Sequence, residues 1–153
     1  GRPSSLDPVL SKRDLSTVLG VSRVTPAPLV LDSRFIFFTA GVGVSSVDLD
    51  GGARFDVPET RTIRAMQVLR SGGIGWTGAG VDGGYINAVD GQGAPLYACP
   101  TTKAVDGAAA FVRGRLYAGS GGSLVVYETP GLDASPRGWS GPRGSPERSG
   151  RAR

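Results

Sequence analysis

A threefold internal repeat is the feature that most limits how this chain can fold. The three copies are PLVLDSRFIFFTAGVGVSSVDLDGGARFDVP (28–58), MQVLRSGGIGWTGAGVDGGYINAVDGQGAPLYACP (66–100) and AAAFVRGRLYAGSGGSLVVYETPG (108–131). Each contains a short apolar run, a polar turn, a run richer in aromatic residues, a glycine-rich reversal and a run of alternating apolar and polar residues. A period of two between turns is typical of short antiparallel strands.

Two aspartates indicate the length of the repeat. Asp50 and Asp90 stand 40 residues apart, and each opens a turn that leads into a further strand-like run, DGGARF and DGQGAPLY. Four short strands in about 40 residues is the size of one β-propeller blade. The sequence therefore predicts an all-β chain, a β-propeller segment of about three four-stranded blades at 28–60, 61–102 and 103–133.

The regions that flank the repeats have a different composition. Residues 1–27 are interpreted as a linker or as the remnant of a preceding blade, and SKRDLSTVLG (11–20) as an outer strand or one helical turn. Residues 134–153 form a basic tail with five arginines against one glutamate, so the tail carries the whole net charge of +4. The neutral body disfavours a nucleic-acid-binding face, which needs clustered lysine and arginine.

Several kinds of chemistry lack the residues that they require. The chain has no histidine, which is the commonest general base and transition-metal ligand. Its single Cys99 cannot form an internal disulfide, and the run PLYACP predicts a buried position for it. The aspartate turns lack the spacing of a Ca²⁺-binding loop, and the glycine-rich reversals lack the lysine of a phosphate-binding loop. We therefore predict no catalytic residue, metal ligand or cofactor, and no run of 18 apolar residues spans a membrane.

The second and third repeats resemble those of the pyrroloquinoline-quinone-like (PQQ-like) propellers. GRLYAGSGGSLVVYETPG (114–131) is similar to that family's G-x-L/V-Y-V/A-G-S pattern and the strand after it. GGYINAVDGQGAPLYACP (83–100) is similar to the second half of the unit, with Tyr97 where the family usually has an outer-strand tryptophan. The tail GWSGPRGSPERSGRAR (138–153) resembles the segment that flanks BamB-type propellers, the outer-membrane assembly lipoproteins.

The resemblance implies the propeller scaffold without the quinone-dependent redox activity. Enzymes of that class hold a quinone and Ca²⁺ with an aspartate base and a disulfide between adjacent cysteines, and this chain has one cysteine. The resemblance also implies a bacterial protein that is periplasmic or secreted. Propellers close with four to eight blades, so three blades imply the C-terminal part of a longer ring, or else a ring completed by another chain.

Two groups of residues are candidates for binding. Trp139, Arg143 and Arg148 are interpreted as a latch that holds the tail on a neighbouring blade, with a partner-docking peptide as the alternative. Aromatic residues of the strand-like runs are interpreted first as core and alternatively as a surface for a ligand or partner. These aromatic residues are Trp76, Tyr85, Tyr117 and Tyr127.

The function that the sequence favours is a non-catalytic scaffold or protein-binding module. Its expected partners are a protein or the remaining propeller blades, and not a nucleic acid. One alternative is an enzyme or small-ligand site completed by blades outside this chain. A weaker alternative is a structural subunit of a large assembly.

Overall fold

The computed structural model describes residues 30–31, 35–40, 43–50 and 52–136, and every regular element in them is a β-strand. The predicted all-β class is therefore confirmed for this part of the chain. The eleven strands are β1 Val30–Leu31, β2 Phe35–Ala40, β3 Gly43–Asp48, β4 Ala53–Pro58, β5 Thr62–Val68, β6 Ile74–Gly80, β7 Gly83–Val89, β8 Pro95–Thr101, β9 Val105–Val112, β10 Arg115–Ser120 and β11 Ser123–Glu128.

The strands form three antiparallel sheets, one for each repeat in the sequence. Sheet 1 has the order β1-β2-β3-β4 and sheet 2 the order β5-β6-β7-β8. Sheet 3 has the order β9-β10-β11, with three strands among the described residues. Each sheet is a simple meander, because consecutive strands pair with each other.

Tight turns of two residues join several of these strands. In sheet 3 the turn between β9 and β10 has φ of 50° at Arg113 and 76° at Gly114. The turn between β10 and β11 has φ of 56° at Gly121 and 81° at Gly122. Positive φ at both central residues is the mark of the type I′ turn, whose twist matches that of the strands it joins.

The aspartates that open the turns before the fourth strands are Asp48 and Asp90. Asp48 Oδ1 accepts hydrogen bonds from the backbone N–H groups of Asp50 and Gly52, at 3.0 and 2.7 Å. Asp90 Oδ1 accepts the two equivalent bonds, from the residues two and four positions further on, at 2.8 and 2.9 Å. The predicted equivalence of Asp50 and Asp90 is therefore wrong. Asp48 is the last residue of the six-residue β3, whereas Asp90 follows the seven-residue β7, so the aspartate lies two positions further along in sheet 2.

Sheet 2 lies between the other two sheets, and alternate side chains of its strands pack in opposite directions. One apolar cluster joins it to sheet 1 and a second joins it to sheet 3. The first includes Phe37, Val44, Met66, Val68, Ile74, Trp76, Tyr85 and Val89. The second includes Ala65, Leu69, Ile86, Ala88, Ala109, Phe111, Leu116 and Ala118.

Among the described residues, the third repeat has three of the four strands predicted for the unit. After β11 the described chain does not pair with β11 again but turns inward between sheets 2 and 3. The backbone N–H of Ser135 donates to the carbonyl of Val68 at 2.8 Å, and that of Ala134 donates to Phe111 at 3.2 Å. Leu132 is buried in the cluster between the two sheets. This segment therefore ties the two sheets together at the position where a turn into a fourth strand was expected.

Candidate functional site

A cluster of polar side chains around one buried carboxylate lies where sheet 1 meets sheet 2. The Glu59 side chain is only 2% exposed and accepts hydrogen bonds from Trp76 Nε1 at 3.0 Å and from Arg61 Nε at 2.8 Å. The Arg61 guanidinium stacks on the ring of Tyr85, 3.7 Å from its centroid. The Tyr85 hydroxyl donates to the carbonyl of Thr62 at 3.1 Å. The cluster thus pairs a buried charge with several donors.

The protonation of this cluster follows from its surroundings. Burial raises the pKa of Glu59, but the hydrogen bonds from Arg61 and Trp76 and the charge of Arg61 outweigh it, so the pKa is lowered from its ordinary value. Burial, with the nearby Glu59 carboxylate, raises the pKa of Tyr85 well above its usual range. At neutral pH Glu59 is therefore ionised and Tyr85 is neutral. The hydrogen bonds of Glu59 to Arg61 and Trp76 hold the connection between β4 and β5 against sheet 2.

Two of the four aromatic residues considered for a surface lie in the core. Trp76 and Tyr85 are each 1% exposed, because both side chains point toward sheet 1. Both side chains therefore belong to the core, and the alternative that they form a surface for a ligand or partner is wrong for this pair. Tyr117 is 38% exposed, and Tyr127 is half-buried against the cluster between sheets 2 and 3.

The structure describes Cys99 but not the residues of the predicted latch. Cys99 is half-buried rather than buried, because β8 is the last described strand of its sheet and its side chains are only partly covered. Its Sγ lies 3.3 Å from the Pro100 carbonyl oxygen. The latch residues Trp139, Arg143 and Arg148 lie outside the described residues.

Exposed apolar side chains collect on the side of sheet 3 that faces away from sheet 2. We call this the outward face and define it by Val112, Tyr117, Leu124 and Val126, which are 41%, 38%, 77% and 47% exposed. Tyr117 stands directly opposite Val126 in the register of β10 and β11, and Leu124 is two residues before Val126 on the same face. Tyr117, Leu124 and Val126 therefore occupy neighbouring positions of one face, and Val112 stands opposite Arg115, beside the 3.0 Å ion pair of Arg115 and Glu128.

The outward face corresponds to a buried face of sheet 2. Both sheets contain a hairpin closed by a two-residue turn, so their positions can be matched by register. The pair Thr77 and Ile86 in sheet 2 corresponds to the pair Tyr117 and Val126 in sheet 3. Thr77 and Ile86 are buried, on the side of sheet 2 that packs against sheet 3. Sheet 3 thus exposes the positions that sheet 2 covers.

The outer edge of β11 is a second surface of the same sheet, and it is unpaired in the part of the chain that the structure describes. In sheet 1 the corresponding edge of β3 pairs with β4, and in sheet 2 the edge of β7 pairs with β8. Among the described strands, none pairs with the outer edge of β11. An unpaired edge presents a row of backbone donors and acceptors to solvent.

The cluster of Glu59 and Arg61 was missed in the sequence, where a glutamate and an arginine two residues apart in a loop form no recognisable pattern. In the described ranges, no group of three His, Cys, Asp or Glu side chains could hold a metal ion. None of the elements in this part of the chain is a helix long and apolar enough to cross a bilayer. Compared with known proteins, the chain matches no protein-family model and no curated protein.

Proposed function

We propose that this chain is part of a β-propeller and serves as a non-catalytic platform on which a further β-sheet packs. The observation that carries the proposal is the outward face of sheet 3. It exposes apolar side chains at the positions where sheet 2, built on the same meander, is covered by its neighbour. The surface is therefore the side on which the next unit of the stack would lie.

The arrangement of the three sheets supports a propeller. Each is a meander of short antiparallel strands, and neighbouring sheets pack face to face through apolar clusters. Propeller blades have this strand order and pack in this way. The resemblance of the repeats to PQQ-like propellers points to the same architecture and to a location outside the cytoplasm. Because three blades do not close a ring, further sheets have to be supplied by more of the polypeptide or by a partner protein.

The chemistry of the outward face suits such a contact. Full burial of a valine or leucine side chain contributes about 1.5–3 kcal/mol, so burial of the four side chains would hold a second sheet in place. The apolar centre is bordered by the exposed ion pair of Arg115 and Glu128. An apolar centre with a polar rim is the usual composition of protein interfaces.

Sedimentation of the 153-residue chain tests the proposal. Without a further sheet, the outward face should associate with itself, so the mean mass should rise with concentration. Combining Tyr117→Asp with Val126→Asp places two charges on the face and should abolish this rise. The matched control is Val81→Asp, because Val81 is fully exposed in the turn between β6 and β7, away from the outward face. A wild-type chain that stays monomeric, or an association that the double variant leaves unchanged, would overturn the proposal.

A further inference from the structure

We propose that Arg70 and Arg113 form a binding site for an acidic segment of a partner protein. The two arginines lie just after β5 and β9, the first strands of sheets 2 and 3, which contact each other. The platform proposed above uses the outward face of sheet 3, whereas this site lies at one end of the two sheets. It is therefore a second surface, and it can be tested separately.

Asp133 holds the two arginines next to each other. The backbone N–H of Arg70 donates to the Asp133 carbonyl at 2.8 Å, and that of Arg113 donates to Asp133 Oδ1 at 3.1 Å. Because both arginines donate to oxygens of one residue, they lie side by side although they belong to different sheets. The cluster contains two positive charges against one negative charge, so it is locally basic.

The two guanidinium groups are only weakly engaged within the chain. Nη2 of Arg70 lies 3.5 Å from Asp133 Oδ2, and the Arg70 side chain is 65% exposed. The Arg113 side chain is exposed, and its guanidinium forms no hydrogen bond or ion pair in the part of the chain that the structure describes. Arg115, by contrast, is paired with Glu128 at 3.0 Å. Arg70 and Arg113 thus retain donors whose planar geometry suits a carboxylate.

The backbone at Arg113 is a second, independent observation. Arg113 has φ of 50° at the first central position of the type I′ turn between β9 and β10. Asn, Asp and Gly are preferred there, and a larger side chain with positive φ is uncommon. The conformation of the turn therefore does not account for an arginine. Residues held in sparsely populated conformations are concentrated at functional sites, and an exposed guanidinium beside Arg70 supplies such a function.

The charge of the occupant excludes both flanking regions of this chain. Residues 1–29 contain four lysine and arginine residues against two aspartates, and residues 137–153 contain five arginines against one glutamate. Both regions are basic, so neither is the anionic segment that the two arginines would bind. The occupant is therefore a separate molecule.

The surroundings of the site favour a short acidic protein segment over a nucleic acid. Asp90 follows β7 at the same end of sheet 2 as Arg70, and Glu128 ends β11 at the same end of sheet 3 as Arg113. These carboxylates would repel a nucleic-acid strand, which carries a charge at every phosphate. A segment with a few neighbouring carboxylates can lie on the two arginines alone.

An NMR titration of the ¹⁵N-labelled 153-residue chain with a hexaglutamate peptide tests the proposal. The backbone-amide and Nε signals of Arg70 and Arg113 should shift together with one dissociation constant, and hexaglutamine should leave them in place. Because signals are followed residue by residue, binding to the arginines of the tail is measured separately. The shifts should weaken between about 0.01 M and about 0.15 M salt, as the Debye length falls from about 30 to about 8 Å.

Four variants separate this site from general attraction between charges. Arg113→Asn suits the turn and removes the guanidinium, so it should weaken binding about threefold without lowering the melting temperature. Arg70→Gln should weaken binding to a similar extent. The matched control is Lys103→Asn, which removes an exposed charge before β9, at the opposite end of that strand, and should leave the affinity unchanged. Asp133→Asn keeps an acceptor for the Arg113 N–H and removes the competing charge, so it should strengthen binding about threefold.

Four results would overturn the proposal. Shifts confined to residues 137–153 would assign the binding to the tail. Equal weakening by Lys103→Asn and Arg113→Asn would mean that only net charge matters. A six-nucleotide RNA that shifts Arg70 and Arg113 at lower concentration than hexaglutamate would change the class of partner. A destabilised Arg113→Asn variant would mean that the fold itself requires the arginine. The aspartate variants of the outward face should still bind the peptide, so failure of one proposal is distinguishable from failure of the other.

Discussion

Sheets 2 and 3 are built on the same meander, yet they differ in what covers them. Sheet 2 lies between two neighbours and buries both faces, whereas sheet 3 buries one face and exposes Tyr117 and Val126 on the other. The residues at matched positions differ accordingly. Gly75 of sheet 2 lies against the ring of Phe111, and its counterpart in sheet 3 is the exposed Arg115. The burial of a strand position therefore depends on the neighbouring sheet as well as on the strand itself.

The largest loss of stability is predicted for Phe111, whose side chain packs between sheets 2 and 3. Phe111→Ala should reduce the free energy of unfolding by about 3–5 kcal/mol, because it leaves a cavity in the cluster. Tyr117→Ala, on the outward face of the same sheet, should change it by less than about 0.5 kcal/mol. Urea denaturation of both variants measures the difference. Comparable losses would mean that the outward face is covered in solution.

Glu59, on the other side of sheet 2, should make stability depend on pH. Its pKa is lowered in the folded state, so its contribution is present above the ordinary value of 4.5 and is lost as the pH falls through the folded pKa. Glu59→Gln should cost about 1–3 kcal/mol at pH 7 and remove this part of the acid dependence. The control is Glu128→Gln in the exposed ion pair of sheet 3, which should cost less than about 1 kcal/mol. Equal effects of the two substitutions in pH-dependent urea titrations would contradict the structural role of Glu59.

Gly75 tests how closely sheets 2 and 3 approach each other. A Cβ at this position would lie 2.5 Å from Cε2 of Phe111, so Gly75→Ala should overpack the contact and cost about 1–3 kcal/mol. Combining it with Phe111→Leu should recover part of the loss, and a double-mutant cycle measures that coupling. Arg115→Ala at the matched, exposed position of sheet 3 should cost much less than Gly75→Ala. Strictly additive losses at Gly75 and Phe111 would count against the contact.

The smallest change in the free energy of unfolding is expected at Thr77, the counterpart of Tyr117. Its hydroxyl is buried and has no hydrogen-bond partner among the described residues. Thr77→Val keeps the shape of the side chain and removes the unsatisfied group, so it should stabilise the chain by about 1 kcal/mol. Tyr117→Phe at the matched position removes a hydroxyl that interacts with Arg115, and because this contact is exposed to solvent it should change the melting temperature only slightly. A destabilised Thr77→Val variant would reveal a partner for the hydroxyl.

The strands were the part of the fold that could be predicted from the sequence. The aromatic-rich run Phe35–Thr39 lies within β2, and Leu116–Ser120 lies within β10. Alternation of apolar and polar residues and the glycine turns are local signals, and they lie within each repeat. The candidate binding surfaces could be predicted only in small part from the sequence. Tyr117 was named as one of several aromatic residues, but the outward face and the open edge of β11 were not predicted.

Errors in the prediction arose where the outcome depended on distant residues. Cys99 was predicted to be buried from the apolar run around it, and it is half-buried because no described strand lies beyond β8. Asp50 was matched with Asp90 by spacing alone, whereas hydrogen bonds match Asp48 with Asp90. The segment after β11 was expected to follow the repeat, and its bonds to β5 and β9 are long-range.

The sequence by itself determined the strands, their tight turns and their grouping into three similar units, because backbone alternation and turn chemistry act over a few residues. The tertiary structure decided which faces are buried, which edge has no partner among the described strands and where the charge of Glu59 is neutralised. These outcomes depend on contacts between residues far apart in the chain, such as Phe111 against Gly75 and Glu59 with Trp76. One repeated meander therefore becomes a covered sheet in the middle of the three described sheets and a sheet with one exposed face beside it.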